Sequence, residues 1–492
     1  MRMRFKRYVY LAMFTMLLQL IVFKYFYPFP NFMQDSYNYL RSAYTNADVN
    51  MWPVGYAKLI RFVGIFTHWD TALVFVQFCF YHICALYFFF TVLDLTAVGK
   101  WPRRLIFAFL FLNPAILYLS NYVTSDVYFI GISLVWISQL FRLVYQPSNW
   151  LLAAHLVVLL LAYTVRYHAL IYPIISITVI VFCDFTVRVK IASGLIMAGM
   201  IGGFMLYTTY QSEKVTGTRQ FSAFSGWQMA NNAVHAYAHM PERPPLQVPP
   251  EFAAIHHQVN AYIDSLQHIP MSQRPDAPLM AFYLWDATSP LQPSPGAVNI
   301  ADNADHLRQM AAVAPLYNDY GKYLISQYPL PYFRYFLLPN FFQYAYPPVE
   351  NLGLYNDGRD TVWPIAQTWF HYASNKIYTV SNKRELILFD YYPALMVFII
   401  LLFISGWIAY YRVSGPSFAD IKFRSALRIG TFYWIVHYGF SVLASPVVLR
   451  YQLFNMILGV VFGVLLWGVV LKKRIFNPSI YNNKINVDHS RR

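Results

Sequence analysis

Charged residues are scarce in this sequence. Asp, Glu, Lys and Arg make up 12% of its 492 residues, while hydrophobic residues make up 58%. A soluble globular protein is nearer about one quarter charged. The shortage argues against an ordinary cytosolic enzyme, and the apolar surplus excludes a disordered or collagen-like chain.

Cysteine is nearly absent as well. The chain has three, Cys79, Cys84 and Cys183, and each lies in an apolar run rather than in a polar loop. This placement excludes a disulfide framework and offers no Cys/His zinc spacing. The long outer segment defined below has no cysteine, which favours a bacterial periplasm over the lumen of the endoplasmic reticulum.

Common nucleotide-binding and hydrolase motifs are missing too. The sequence has no Walker loop, no dinucleotide fingerprint, no Gly-x-Ser-x-Gly elbow and no His-Glu-x-x-His. ATP-driven and nucleotide-sugar chemistry therefore lack support, and no cofactor is predicted. His235 and His239 are four residues apart on a predicted helix and could bind a divalent metal, but no third ligand accompanies them.

Aromatic residues and long apolar runs are abundant. Phe, Tyr and Trp make up 19% of the chain, which suits a protein with much surface at membrane interfaces. A transmembrane helix needs about 20 apolar residues, and ten runs approach that length. They cover residues 8–27, 71–93, 105–120, 127–145, 150–165, 168–183, 191–210, 390–411, 429–446 and 451–471. We expect an all-α polytopic membrane protein of about ten spans, with a kink at Asn113-Pro114.

The basic residues predict the orientation. A basic start, from Arg2 to Arg7, precedes the first apolar run, and no small-residue cleavage site follows that run, so we interpret it as a retained anchor. With a cytoplasmic N-terminus, more than half of the 37 Lys and Arg residues fall in short inner segments. The net charge of +15 therefore reflects topology rather than nucleic-acid binding. We expect both termini in the cytoplasm, in a bacterial inner membrane.

Two long segments fall on the outer side. Residues 28–70 form a first outer loop with two amphipathic stretches, Ser36 to Val49 and Val54 to Phe66. Residues 211–389 hold most of the 29 prolines and predict one extracytoplasmic, α-rich domain between the seventh and eighth spans. Its predicted helical stretches are Ser225 to His239, Glu251 to Gln267 and Leu316 to Gln327. The remaining divisions are an N-terminal membrane module at 1–210, C-terminal spans at 390–476 and a basic cytoplasmic tail at 477–492.

Four ionisable residues lie at the outer ends of spans, namely Asp35, Asp126, Arg166 and Arg450. Charges at membrane depth are costly and tend to be functional. Each has a structural alternative, because the two Asp could be helix N-caps and the two Arg could be interface anchors. Together they suit transfer of a group away from a lipid-linked phosphate. A carboxylate can accept the proton of an attacking hydroxyl, and a guanidinium can stabilise the departing phosphate.

Two further residues are weaker candidates for the same site. Lys58 could be a phosphate ligand, or it could be a snorkelling lysine on an amphipathic helix. His168 follows Arg166 by two residues at the same predicted outer end.

At these residues the sequence resembles the GT-C superfamily of integral-membrane glycosyltransferases. The resemblance is strongest to the branch with protein O-mannosyltransferases and bacterial lipid A aminoarabinose transferases. It rests on short motifs that occur in the same order and on the same predicted side. They are Asp35 with Tyr39 and Ala43, Pro53 to Tyr56, Asn113-Pro114, Thr124 to Asp126, Arg166 to Leu170, and Arg450-Tyr451.

The resemblance implies a hexosyl- or pentosyltransferase with a polyprenyl-phosphate-linked sugar as donor. Transfer would proceed with inversion at the periplasmic face, to a lipid, glycan or protein acceptor. The catalytic carboxylate that the resemblance implies is the first-loop Asp, here Asp35. In our hypothesis the catalytic residues are Asp35, as base or acceptor-orienting carboxylate, and Asp126, which would orient the acceptor or the donor sugar; no metal site is predicted. The predicted substrate-binding residues are Arg166, Arg450, Tyr451, Lys58 and His168, of which Arg166, Arg450 and Lys58 would hold the phosphate.

Two other functions fit parts of the sequence. An enzyme of the O-antigen polymerase or ligase type also has many spans, a large periplasmic loop and essential arginines, and its essential residues would lie in 211–389. A lipid or glycan transporter without chemistry would carry charges near the bilayer midplane on broken helices, with repeat symmetry. Here the charges lie at span ends, and no internal repeat is evident.

Overall fold

The chain is all-α wherever its structure is described. The computed structural model describes residues 2–244, 246–270, 280–286, 288–292, 303–380, 386–414 and 421–476. Over these residues helices alternate with loops, and β-pairing is limited to two isolated bridges, Asn31 with Tyr122 and Thr361 with Lys376. The predicted all-α class is confirmed. The predicted tail at 477–492 lies outside the described residues.

The first ten described helices form the N-terminal part of the chain. They are α1 (Arg2–Phe26), α2 (Gln34–Thr45), α3 (Gly55–Phe66), α4 (Asp70–Leu95), α5 (Lys100–Phe111), α6 (Pro114–Ser120), α7 (Asp126–Tyr145), α8 (Asn149–Val165), α9 (Tyr172–Phe182) and α10 (Val187–Thr216). A 3₁₀ helix, Tyr167–Ile171, joins α8 to α9. The two predicted amphipathic stretches of the first outer loop correspond to α2 and α3.

Ten further described helices follow. They are α11 (Ala223–Ala238), α12 (Pro250–Gln267), α13 (Phe282–Trp285), α14 (Asn303–Gln327), α15 (Pro329–Tyr332), α16 (Leu338–Gln343), α17 (Pro364–Phe370), α18 (Tyr392–Ser414), α19 (Ile421–Ala444) and α20 (Leu449–Phe476). A π-helical turn, Phe333–Leu337, separates α15 from α16. Short 3₁₀ helices span Glu350–Gly353, Tyr355–Gly358 and Ile387–Tyr391.

Seven segments are long and apolar enough to cross a membrane, so the chain is a multi-pass membrane protein. They are Lys6–Phe26, Asp70–Leu95, Lys100–Ser120, Asp126–Tyr145, Val187–Thr216, Ile387–Arg412 and Leu449–Lys472. Their positions agree with seven of the ten predicted spans.

The other three predicted spans are helical but do not reach the length or hydropathy of a span. Residues 150–165 and 168–183 correspond to Asn149–Val165 and Tyr167–Phe182, which are apolar but short. Residues 429–446 overlap α19, whose first turns carry Lys422, Arg424 and Arg428. The described residues thus contain seven candidate spans by length and hydropathy, together with three further helices at the other predicted positions.

The predicted kink at Asn113-Pro114 is a complete break between α5 and α6. Pro114 has no backbone N–H, so it can begin a helix but cannot continue one. The Asn113 side chain caps α6 by accepting from the backbone N–H of Ala115 at 3.0 Å. The Tyr392 hydroxyl donates to the same Asn113 oxygen at 2.6 Å. The break is therefore held by a contact with the first turn of α18.

Buried side chains form two main hydrophobic cores. The first runs through the membrane helices, where α4 packs against α7 and α18 against α20. The second is built by α11, α12, α13 and α14 and includes the buried Trp227. Residues from Leu352 to Ile377 pack into the first core rather than the second. Side chains from the later part of the 211–389 segment thus share the core of the membrane helices.

Candidate functional site

Arg450 brings together carboxylates from three distant parts of the chain. It lies in the first turn of α20, and its Nη1 donates to Asp35 Oδ2 at 3.0 Å. The same Nη1 is 3.8 Å from Asp126 Oδ2, and Arg450 Nε is 3.5 Å from Glu350 Oε2. A single guanidinium therefore faces three carboxylates, of which Glu350 was not predicted.

Asp126 is the most deeply buried of these carboxylates, with its side chain 1% exposed. Arg166 donates from Nη1 to Asp126 Oδ1. Asp126 Oδ2 has no hydrogen-bond partner among the described residues and faces Arg450. A buried carboxylate is tolerated only when it is paired, so the two arginines together neutralise Asp126.

The structure excludes the alternative of simple N-caps for the two aspartates. The N-cap of α2 is Met33 and that of α7 is Ser125, so Asp35 and Asp126 both lie inside the first helical turn. A carboxylate there faces the positive end of the helix dipole. The Arg166 and Arg450 side chains are only 12% exposed and turn toward the carboxylates. They do not extend outward as interface anchors.

Tyr451 joins the two arginines through its ring. The ring centroid lies 4.7 Å from the Arg166 guanidinium carbon and 4.9 Å from that of Arg450. Arg450 also donates from Nη2 to the Tyr451 hydroxyl at 3.0 Å. The His168 ring packs 4.6 Å from the Tyr451 ring. Cation–π contact and hydrogen bonding thus hold both guanidiniums beside one aromatic face.

Glu350 enters the site from a loop with an unusual backbone. Its φ is 52°, in the left-handed region that a residue with a side chain seldom adopts, and Asn356 and Asp357 share this conformation. Burial raises the pKa of the Glu350 carboxyl above its usual value, while Arg450 opposes that change. Burial also raises the pKa of Asp357, to about 6. A carboxyl group in this loop is therefore protonated at a higher pH than a carboxyl group on an open surface.

Hydrogen bonds hold this loop against the segment that leads into α2. The Tyr355 hydroxyl donates to the carbonyl oxygen of Phe29 at 2.9 Å. The backbone N–H of Asn356 donates to Asn31 Oδ1 at 2.6 Å. The loop that carries Glu350 is thus connected to the chain four residues before Asp35.

Two further contacts position the arginines. Asn340 Nδ2 donates to the carbonyl oxygen of Ser445 at 2.8 Å, and its Oδ1 accepts from the N–H of Val447 at 2.8 Å. These bonds support the turn between α19 and Arg450. Near Arg166, α3 begins against the end of α8, where a Cβ on Gly55 would lie 2.6 Å from the carbonyl oxygen of Thr164. Only glycine allows this approach without a shift.

The cluster lines a cleft between the ends of the membrane helices and the second hydrophobic core. This larger cleft has a volume of about 700 Å³, and Asp35, Arg166, His168, Arg450 and Tyr451 all line it. A smaller cleft of about 280 Å³ adjoins it. The two clefts share the lining residues Asp35, Ala281, Trp285, Glu350 and Arg450.

No family model, curated protein or solved structure matches this chain. The chemistry of the cleft is therefore argued from its own residues. It is lined by three arginines, Arg166, Arg219 and Arg450, by the two carboxylates Asp35 and Glu350, and by aromatic rings, and the first turns of α2 and α20 lie beside it. Helix N-termini and guanidiniums favour an anion, and the carboxylates can accept protons or hydrogen bonds.

Lys58 is not brought to this cluster. Its ammonium group donates to Asn46 Oδ1 at 2.9 Å and pairs with Asp48 Oδ1 at 3.2 Å, on an exposed face of α3. It lines neither of the two clefts. Lys58 thus pairs with the loop that follows α2 and lies apart from the two arginines.

The predicted histidine pair lies together within the second core region. The His235 and His239 rings are 4.2 Å apart between centroids, and His239 Nδ1 is 2.7 Å from the carbonyl oxygen of His235. Among the described residues, no group of three or more His, Cys, Asp or Glu side chains could hold a metal ion. The pair therefore carries no metal site in the described structure.

Glu350 and the aromatic wall were not found by sequence reasoning. Glu350 lies in Pro-Pro-Val-Glu-Asn, inside the 211–389 segment. The candidate charges were chosen at the ends of predicted spans, and Glu350 is not at such an end. Trp52, Phe224 and Trp285 also line the larger cleft. The one available signal was an acidic residue four positions after an aromatic, proline-spaced stretch from Tyr328 to Tyr346.

Proposed function

We propose that the larger cleft is the active site of a glycosyltransferase that uses a polyprenyl-phosphate-linked sugar as donor. The observation that carries this proposal is Arg450, which contacts Asp35 and faces Asp126 and Glu350 at the mouth of the membrane helices. The cleft thus contains arginines that can bind a phosphate and a carboxylate that can accept the proton of a hydroxyl group. Transfer from a lipid-linked phosphate requires both groups.

An apolar side of the cleft supports a lipid-linked donor. Leu170 and Leu443 line the cleft, and the Leu443 side chain is 63% exposed. In a membrane protein, exposed apolar side chains at the helix ends face lipid or the interface. A hydrocarbon chain could therefore extend from the cleft into the bilayer while its phosphate stays beside the arginines.

Arg166 and Arg450 are the proposed phosphate ligands. Each guanidinium has five N–H donors in a planar fork that matches phosphate oxygens. The Tyr451 ring packs against both and fixes their spacing. Their existing partners Asp126 and Asp35 prevent two buried cations from lying unpaired when the phosphate is elsewhere.

Asp35 is the proposed base. The acceptor hydroxyl oxygen attacks the anomeric carbon, forming the new glycosidic bond, while the bond from that carbon to the phosphate oxygen breaks. The electron pair leaves with polyprenyl phosphate, and the hydroxyl proton passes to Asp35. The phosphate leaves as an anion, so a second carboxyl is not needed to protonate it, unlike the hydrolysis of an ordinary glycoside. Asp126 and Glu350 hold Arg450 in place.

Donor consumption tests this proposal directly. Purified protein in detergent is incubated with radiolabelled polyprenyl-phosphate hexose and pentose donors and a crude membrane-lipid and glycan acceptor fraction. We expect the wild type to consume a donor and the Asp35→Asn variant to be at least about a hundredfold slower, the range for loss of a general base. Asp48→Asn is the matched control, because Asp48 pairs with Lys58 outside the cleft. Full activity of Asp35→Asn would remove Asp35 from the mechanism.

The proposal also includes a finer architecture and location. It places a GT-C-like arrangement of about ten membrane-inserted helices in a bacterial inner membrane, with both termini cytoplasmic and the cleft periplasmic. Exposed Ser225 beside the cleft and exposed Ser148 between α7 and α8 would then lie on opposite sides. In intact cells, a membrane-impermeant maleimide should label Ser225→Cys but not Ser148→Cys. The reverse pattern would invert the topology.

A further inference from the structure

The smaller cleft has an aromatic wall and an acidic wall. It measures about 280 Å³, below the roughly 300–1,000 Å³ usual for ligand sites. Its aromatic side is formed by Phe282 and Trp285, and its acidic side by Asp35, Asp286 and Glu350. A volume of this size suits one ring-sized group rather than a lipid with several chains.

The tryptophan of this wall is unusually open for its surroundings. The Trp285 side chain is 43% exposed, although its neighbours Tyr283 and Leu284 are buried in the second core. Phe224 stacks against Trp285 at 6.1 Å between centroids with an interplanar angle of 26°. Trp52 in turn packs edge-on against Phe224 at 4.4 Å. The indole is thus supported by other rings and presents a large apolar surface to the cleft.

The charges of the smaller cleft disfavour an anion. Three carboxylates line it, and Arg450 is the single basic residue among its lining residues. Arg450 is already engaged with Asp35 at 3.0 Å and lies 3.5 Å from Glu350. Three carboxylates thus share one guanidinium, so an added negative charge would meet a lining of net negative charge, whereas sugar hydroxyls can donate hydrogen bonds to the carboxylate oxygens.

We propose that the smaller cleft binds the acceptor, and that the acceptor is an uncharged sugar at the end of a glycan. This inference rests on the proposed function, since it names the acceptor for the same site. One face of the sugar ring packs on Trp285, and its hydroxyls donate to Asp35, Asp286 or Glu350. Asp35 and Glu350 line both clefts, so an acceptor hydroxyl held here lies beside a donor in the larger cleft.

Glycan binding in the absence of donor tests this inference. Isothermal titration calorimetry of the full-length protein in detergent uses neutral maltotriose, mannotriose and triacetylchitotriose, with trigalacturonate as an anionic probe of matched size. We expect at least one neutral trisaccharide to bind and trigalacturonate to bind at least about tenfold more weakly. Absence of binding by every neutral probe, or stronger binding of trigalacturonate, would overturn the inference.

Substitutions of Trp285 locate the binding. We expect Trp285→Ala to weaken binding of the neutral sugar about tenfold or more, and Trp285→Phe to retain most of it, because an aromatic face remains. Trp150→Ala is the matched control, since Trp150 is an exposed tryptophan outside both clefts. Unchanged sugar binding by Trp285→Ala, with a circular dichroism spectrum like that of the wild type, would contradict the proposed site.

The two proposals fail in different ways. If the wild type consumes donor and Asp35→Asn does not, but no neutral sugar binds, the transferase proposal is supported and the glycan-acceptor proposal is rejected. If neutral sugars bind through Trp285 but no donor is consumed, the sugar-binding site is supported and the transferase proposal is rejected.

Discussion

Arg450 and Asp35 meet at 3.0 Å although 415 positions separate them in the sequence. The contact joins the first turn of α20 to the first turn of α2. Because Asp126 and Glu350 approach the same guanidinium, this ion pair is the centre of a cluster contributed by four separate segments. Loss of any member should affect the others.

Removal of the Asp126 charge should destabilise the protein strongly. Asp126→Asn leaves Arg166 buried without its partner, and breaking a buried ion pair on one side costs about 3–5 kcal/mol. The double variant Asp126→Asn/Arg166→Gln should recover part of that loss, because no unpaired charge remains. Thermal unfolding in detergent measures both. Equal melting temperatures for wild type and Asp126→Asn would contradict the burial argument.

Two substitutions of Tyr451 should separate the effect of ring packing on activity from the effect of hydrogen bonding. Tyr451→Phe keeps the ring beside both guanidiniums and loses the hydroxyl that accepts from Arg450, whereas Tyr451→Ala loses both contacts. We expect Tyr451→Phe to lower donor turnover by less than about tenfold and Tyr451→Ala by considerably more, since the spacing of the arginines is lost. Steady-state kinetics with the donor tests the order, and equal effects would show that the hydroxyl dominates.

The pH dependence of stability should reveal Asp357. Burial raises its pKa from 3.8 to about 6, so the folded protein binds the proton more tightly than the unfolded chain. The stabilisation is therefore complete below about pH 4 and is lost as the pH rises through about 6, with a size of about 1–3 kcal/mol. Asp357→Asn should remove this decline between pH 4 and 7. If the free energy of unfolding changes with pH in the same way in the variant and the wild type, Asp357 does not cause the decline.

The second core should be intolerant of a methyl group at one glycine. A Cβ on Gly226 of α11 would lie 2.0 Å from the carbonyl oxygen of Ala314 in α14, so the two helices would have to separate. We expect Gly226→Ala to lower stability by about 1–3 kcal/mol or more. Gly199→Ala is the matched control, because nothing lies within 4 Å of its added Cβ. Limited proteolysis of the α11–α14 region should distinguish the two variants.

Sequence reasoning located most helices within a few residues. The predicted span 71–93 corresponds to Asp70–Leu95, and the helical stretch at 251–267 corresponds to α12 (Pro250–Gln267). Seven of the ten predicted spans reach the length and hydropathy of a span, whereas α8 and α9 are apolar but short and α19 begins with basic residues. Hydropathy reports local composition, and it does not show whether a short apolar helix packs inside a bundle or crosses the bilayer.

The amino-acid sequence by itself determined that this chain is an α-helical, multi-pass membrane protein, and it identified Asp35, Asp126, Arg166 and Arg450 as the unusual charges. Local periodicity and the cost of burying charge are sufficient for that. Only the tertiary structure decided that these four meet, that Glu350 joins them and that Lys58 does not. The reason is that ion pairs between distant segments depend on how helices pack, which no local pattern encodes.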